Sequence, residues 1–413
     1  MVEEEKLRQI IDYTERKREE IVDLLREFIR TPSLTFHEKE MAELMRDKMS
    51  ALGYSEVLID GAGNAIGILK GSGDGRSILY NGHMDTVPPG GMKDPYSAKV
   101  LDGVEFGVEG KVVYGRGASD MKGALAAMVM AGNILSELDV KLKGDLIVTG
   151  TVQEEVPGML GPKAMLELND LRPDAALIGE CSNLNVAIGH RGAVRHYITT
   201  YGKSCHISVQ ERGINALYKM IPIIEEIRRM NPELPSHPVL GRSSWGVGEI
   251  EVRPNVFNIV PDYCRIIVDT RNTPNFPVES ITRELNDIVE RLSRADPELK
   301  AEVSLWEKEL KSWTPYKMKC RAANPGFYIE PESWLVKLTV NSVKHVRGED
   351  PELIIWGFGT EAPAFTSRGI ATIGLGPGEE RFTHSVNEVI SINQLVEATK
   401  IYAVLATLVC GVE

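Results

Sequence analysis

The chain has 413 residues, 43% hydrophobic and 26% charged, with a net charge of −12 and an isoelectric point near 5.4. That length exceeds one typical hydrophobic core, so two domains are expected. The acidic balance disfavours a phosphate backbone, so no nucleic-acid partner is expected, and no run nears the roughly 18 apolar residues that would make the membrane a partner.

Residues 1–20 are polar and lack the apolar centre of a signal peptide, so a cytoplasmic protein is expected. The five cysteines (Cys181, Cys205, Cys264, Cys320 and Cys410) are scattered without a CxxC pair. That speaks against a disulfide framework or a thiolate zinc site and suits a reducing compartment. Ile21, Leu24, Leu25, Phe28 and Ile29 follow the helical period until Pro32. Apolar runs at 57–59, 65–69, 77–80, 146–151 and 175–179 read as strands, with a helix at 121–138. Unbroken apolar strands separated by helices indicate an α/β architecture. Its sheet is expected to be mixed, largely parallel, and sandwiched by helices.

Near residue 187 the pattern changes. Residues 187–202 read as one long alternating strand, followed by helix 215–230, strands 246–252 and 263–271, helix 279–293 and strand 301–306. The order βαββαβ is that of a ferredoxin-like α+β layer, which can fold as an insertion. Residues 307–331 read as irregular. Helix 332–347, strands 352–356 and 371–376 and helix 391–409 then resume the α/β style. The expected organisation is a catalytic domain built from 1–186 and 307–413, interrupted by a smaller domain at 187–306.

Five short stretches carry the chemistry: NGHMDTVPPG, GRGASDMKGA, TVQEEVPG, LIGECSN and ERFTHSVNE. Each falls at a strand end or in the loop after it, where functional groups of open α/β sheets collect. They offer His83, Asp120, Glu155, Glu180 and His384. His83-Met84-Asp85 suits a ligand imidazole held by a neighbouring carboxylate, and a surface turn explains it as well. Ser119-Asp120 before a helix suits an N-cap, and the glycines around it match no phosphate loop. Glu154-Glu155 is more specific. Adjacent carboxylates repel, and a cation on one of them offsets the cost and leaves the other as a base. The alternative is a solvated loop. Glu180 reads as a strand end or a ligand, and His384 as a lone loop histidine. Taken together, two histidines and three carboxylates suit a pair of Zn²⁺ ions sharing one carboxylate, and therefore a hydrolase.

In order and spacing these motifs resemble those of the two-zinc amidohydrolases and exopeptidases. That family includes acetylornithine deacetylase, succinyl-diaminopimelate desuccinylase, aminoacylase and glutamate carboxypeptidase. The resemblance runs from Thr31-Pro32-Ser33 and Glu38 to the C-terminal helix. It implies two Zn²⁺ per subunit, with Co²⁺ or Mn²⁺ able to substitute. His83 and Glu180 would hold one ion, Glu155 and His384 the other, and Asp120 would bridge them. Asp85 would support His83, Glu154 would be the general base, and the Asp120–Met121 peptide would be cis. Asn258, Arg271, Gly359 and Thr360 match substrate-contacting positions. The resemblance further implies a homodimer formed through the inserted lid domain, with His206 reaching the partner's site to stabilise an oxyanion. Cys181 stands where many members have Pro, and Glu361 where many have Asp; both are expected to touch the substrate pocket. The implied function is hydrolysis of an amide in a small N-acyl amino acid. The alternatives are a dipeptidase or carboxypeptidase using the same metals, and a non-catalytic metal-binding relative.

Overall fold

Strands without a polar face must be covered on both sides. Ile78–His83, Leu146–Thr151 and Ala175–Ile178 are buried at every position. In the computed structural model, which describes residues 2–413 with side chains from Glu4 onward, they form the centre of a nine-stranded sheet. The spatial order is Glu56–Ile59, Ala65–Leu69, Leu146–Thr151, Ile78–His83, Ala175–Ile178, Ala371–Gly374, Val186–His190 and Phe327–Tyr328. Leu353–Trp356 also pairs with Val186–His190. The central run from Leu146–Thr151 to Ala371–Gly374 is parallel. The flanking pairings are antiparallel except that of Leu353–Trp356. Successive residues on a strand face opposite sides, and here they feed two cores. Tyr80, Val148 and Leu177 pack with the helices Arg18–Arg30, Gly123–Glu137 and Ile392–Cys410. Leu79, Ile147 and Ala176 pack with Leu160–Leu168 and Ala362–Thr366 on the other face. Parallel strands end at one edge of the sheet, and that edge receives His83, the Glu154-Glu155 loop and Glu180.

A second sheet has the order Ser244–Arg253, Tyr263–Arg271, Ala193–Tyr201 and Lys300–Leu305, all antiparallel. The helices Ala216–Met230 and Val278–Ala295 cover one face, around a separate core that includes Ile198, Met220, Ile266, Ile281 and Leu285. Strand Tyr263–Arg271 alternates between buried and half-exposed residues, as a one-sided sheet requires.

Three readings of the sequence are corrected. Residues 187–202 are not one strand. Val186–His190 is buried throughout and stays in the first sheet, whereas Ala193–Tyr201 alternates and belongs to the second. The hydrophobic pattern runs through the break at Arg191-Gly192, so only the pairing separates the two strands. The second layer therefore starts at Ala193 rather than at 187. Residues 307–331 are not irregular. Glu307–Lys311 and Lys317–Arg321 form a hairpin, Ala323–Asn324 joins the second sheet and Phe327–Tyr328 the first. The hairpin is held across its strands by charged pairs, Glu307 with Lys319 and Arg321 and Glu309 with Lys317, so it carries no apolar alternation to read. The helix expected from 121 begins at Gly123, because Asp120 and Met121 have non-helical backbones. The sequence reading also passed over the helices Val2–Arg16 and Lys39–Ala51.

Candidate metal centre

Each candidate ligand arrives on a different element. His83 ends its strand, and its Nδ1–H donates to the Asp85 backbone carbonyl at 2.8 Å. That bond leaves Nε2 as the free ligand atom. It lies 3.0 Å from Asp120 Oδ1 and 3.5 Å from Glu180 Oε1. The other Asp120 oxygen is 3.1 Å from His384 Nε2, which is 3.0 Å from Glu155 Oε1. Two triads therefore share Asp120: His83–Asp120–Glu180 and Asp120–Glu155–His384. Within each, the ligand atoms lie inside 4.8 Å of one another. Asp120 caps no helix, and its peptide to Met121 is cis.

The electrostatics call for a cation. Among the described residues no Lys or Arg pairs with Asp120, Glu154, Glu155 or Glu180. Their short charged contacts are with the two histidines. Burial drives the Glu154 carboxyl well above its ordinary range, with Glu180, Glu155 and Glu361 adding to the rise. Burial would also raise Asp120, but hydrogen bonds from His384 and His83 outweigh it and hold that carboxyl low. A carboxylate already stabilised by positive partners on both sides fits a bridge between two divalent ions. The donors are all oxygen and imidazole nitrogen, a set suited to zinc and to harder divalent metals.

Asp85 does its work differently from the expectation. It supports His83 through its backbone carbonyl, while its carboxylate stays 3.6 Å from Nδ1. That carboxylate instead accepts the backbone N–H groups of Glu154 and Glu155 at 3.0 and 3.2 Å and the Thr35 hydroxyl at 2.9 Å. It thus anchors the loop carrying both glutamates. Gln153, just before them, has a left-handed backbone (φ 60°) and donates its N–H to buried Glu38. Burial, with Asp85 beside it, pushes Glu38 up to about 8.

A cleft of about 230 Å³ opens over the triads, with Phe358, Gly359, Glu380 and Thr383 completing its wall. Gly359 therefore reaches the site. Thr360 stands behind it, buried, with its hydroxyl 2.9 Å from His190 Nε2. His206, Asn258 and Arg271 lie in the second layer and do not line this cleft. His206 is exposed beside Ser208, the backbone carbonyl of Asn258 accepts from the amide of Ile207, and Arg271 pairs with Asp269. Cys181 and Glu361 are also absent from the cleft wall, contrary to expectation. Both are buried beneath it. Glu361 accepts from Asn81 and Thr151, and the Cys181 backbone carbonyl accepts from the Trp356 indole. Sequence reading missed Glu388 and Arg116, a buried ion pair beside Asp120. A Glu four residues beyond His384 was the one available signal.

A parallel-centred sheet whose strand ends gather two carboxylate–histidine triads defines a metal-dependent hydrolase. The profile described as Peptidase family M20/M25/M40 matches residues 79–408, and the chain belongs to that family. It is accordingly a hydrolase acting on amide or peptide bonds. The chain is 32% identical over 386 residues to the uncharacterized protein YgeY of Escherichia coli (strain K12), covering 92% of both chains. It is 26% identical over 377 residues to acetylornithine deacetylase of Myxococcus xanthus, covering 88% of this chain and 90% of the other. A dinuclear metal-binding peptidase from Bacillus subtilis shares the fold, with a TM-score of 0.71 at 16% identity over 96% of this chain and 99% of that one.

Proposed function

We propose that the protein is a two-zinc hydrolase that cleaves the amide bond of a small N-acyl amino acid. The observation that carries this reading is Asp120 set between two imidazoles, 3.0 Å from His83 and 3.1 Å from His384, with Glu154 beside them. His83 and Glu180 would hold one ion, Glu155 and His384 the other, and Asp120 would serve both. When bound, such a pair lowers the pKa of water and polarises a carbonyl oxygen. Glu154 accepts the proton of the attacking water, a task favoured by its burial, which raises its affinity for a proton. It then passes the proton to the leaving nitrogen, giving a carboxylate and a free amine. A cleft of about 230 Å³ suits a small substrate.

The remaining assignments belong to the same reading. Gly359 contacts the substrate directly, and Thr360 shapes the loop behind it. Arg271 and Asn258 approach the substrate carboxylate or the transition state from the second layer, where a guanidinium can pair with a carboxylate bidentately. Two second layers associate into a homodimer, and His206 of each reaches the other's site. Edge strand Ser244–Arg253, with exposed Val247 and Ile250, supports such pairing. The five free cysteines suit a reducing cytoplasm.

The test is a substrate panel of N-acetyl and N-succinyl amino acids beside dipeptides, with Zn²⁺ or Co²⁺ supplied. Turnover of an N-acyl amino acid well above any dipeptide is expected. Preference for dipeptides would replace the deacylase by a peptidase. No turnover of either by metal-loaded protein would remove the assignment of substrate class.

A further inference from the structure

Residues 115–120 carry the bridging aspartate and residues 384–389 carry His384. They are far apart in sequence, yet one buried side chain joins them. Glu388 has no exposure to solvent. Its Oε1 accepts the backbone N–H groups of Ser119 at 2.9 Å and Asp120 at 3.0 Å. Its Oε2 accepts the Gly117 N–H at 3.0 Å and the Arg116 guanidinium at 2.5 Å. Its backbone carbonyl accepts the Gly115 N–H at 3.1 Å. Arg116 donates a second bond to the carbonyl of Ser385, the residue after His384, at 3.2 Å. The Ser119 hydroxyl closes the seam on the Val389 carbonyl at 2.7 Å.

This pattern is more than a buried ion pair. Three backbone N–H groups of one loop converge on a single carboxylate, and one of them belongs to Asp120 itself. The direction of the Asp120 side chain follows from its backbone. Its two oxygens must meet His83 on one side and His384 on the other. His384 needs the same help. It is half exposed and has a left-handed backbone (φ 57°), and the bonds donated by its neighbours, Thr383 to Glu380 and Ser385 to Phe382, stay within its own loop. Removing the carboxylate would orphan three buried donors and leave Arg116 uncompensated. The loop would then settle elsewhere.

We infer that Glu388, acting with Arg116, is a positioning residue for the metal pair. It locks the loop of the bridging aspartate to the loop of His384, and so sets the affinity of the half-site formed by Asp120, Glu155 and His384. The other half-site shares Asp120 but depends on it less, because His83 ends its own strand and Glu180 lies two residues beyond Ala175–Ile178.

The inference rests on the two-metal reading, and the experiment separates the two. Metal-free wild type, Glu388→Gln and Arg116→Lys are titrated with Co²⁺ and followed by visible absorption. His384→Ala identifies the step belonging to the half-site of Asp120, Glu155 and His384. If wild type takes up no Co²⁺, the two-metal reading falls and takes the inference with it. With two Co²⁺ bound to wild type, Glu388→Gln is expected to shift the His384 step by about 10–100-fold in Co²⁺ concentration, as loss of an outer-shell partner typically does. The other step should move little and the circular dichroism should be retained. A merely structural role would lower the melting temperature and weaken both steps alike, and that outcome overturns the inference. So does an unchanged titration. Should Glu388→Gln not fold, Arg116→Lys decides by the same criterion, since it keeps the charge but cannot serve Glu388 and Ser385 together.

Discussion

The two layers of the molecule bury different kinds of side chain. The first encloses Glu38, His83, Asp85, Arg116, Lys122, Glu180, Glu361 and Glu388. The second buries no Asp, Glu, Lys or Arg among its described residues, and His196 is its one fully enclosed histidine. Exposed large apolar side chains occur on both layers, Val104 on the first among them, and are more numerous on the second. Phe257 is 96% exposed, and Tyr218, Ile221, Ile250 and Val256 join it on the second layer. Enclosing charge costs stability unless each group finds a partner. The first layer meets that cost around one strand edge, where the charges can act. The second keeps an apolar interior and carries uncovered apolar surface, the composition of a layer built to pack and to pair. The difference is the one that the proposed division, chemistry in one layer and association in the other, requires.

The largest expected effect falls on the first layer. Glu154→Gln keeps size and polarity but cannot accept a proton. Turnover should drop by about 10²–10⁴-fold, while metal content and melting temperature stay close to wild type. Activity within a few fold of wild type would take the base away from Glu154 and leave the enclosed charges of this layer without their assigned task.

A smaller effect compares the two layers through one histidine in each. Burial holds His190, in the first layer, down at about 4 against an ordinary 6.5, with nearby Arg271 lowering it further. Burial does the same to His196 in the second. Both are uncharged when folded and gain a proton on unfolding at mildly acidic pH. Stability should therefore be intact above about pH 6.5, fall as pH drops towards about 4, and level off below. For enclosed His190 the loss is roughly 3 kcal/mol. Denaturation of His190→Gln across that pH range should show a shallower decline than wild type. An unchanged slope would mean that His190 is not the group being protonated.

The smallest effect falls on the second layer. Phe257→Asp places a charge on its most exposed apolar residue. The proposed dimer should weaken by about tenfold, or ~1.4 kcal/mol, with the melting behaviour of the isolated chain nearly unchanged. Sedimentation across a dilution series measures it. Equal association of variant and wild type would remove this surface from the dimer and narrow the contrast between the layers.

Much of the first layer was legible because its signals are local. A strand buried on both faces is an unbroken apolar run, so Ala65–Leu69 and Leu146–Thr151 match their sequence readings residue for residue. The five candidate ligands stood out because carboxylates and histidines at strand ends are few and chemically distinctive. Other features were invisible for equally physical reasons. The Glu307–Lys311 hairpin is held by charge pairs across strands that no periodicity records. The break at Arg191-Gly192 lies within one continuous pattern and is decided by which sheet offers a partner.

By itself, the sequence determined the α/β style, the βαββαβ order of the second layer and the residue types available for metal chemistry. These depend on short-range periodicity and on composition. Only the tertiary structure decided that Asp120 faces two histidines instead of capping a helix. It also decided that the Asp85 carboxylate holds the Glu154-Glu155 loop rather than His83, and that Glu388 ties the two ends of the chain together. Those outcomes depend on side-chain hydrogen bonds between segments as many as 272 positions apart in the chain, and the direction of a side chain at such a distance is set by packing rather than by its neighbours in sequence.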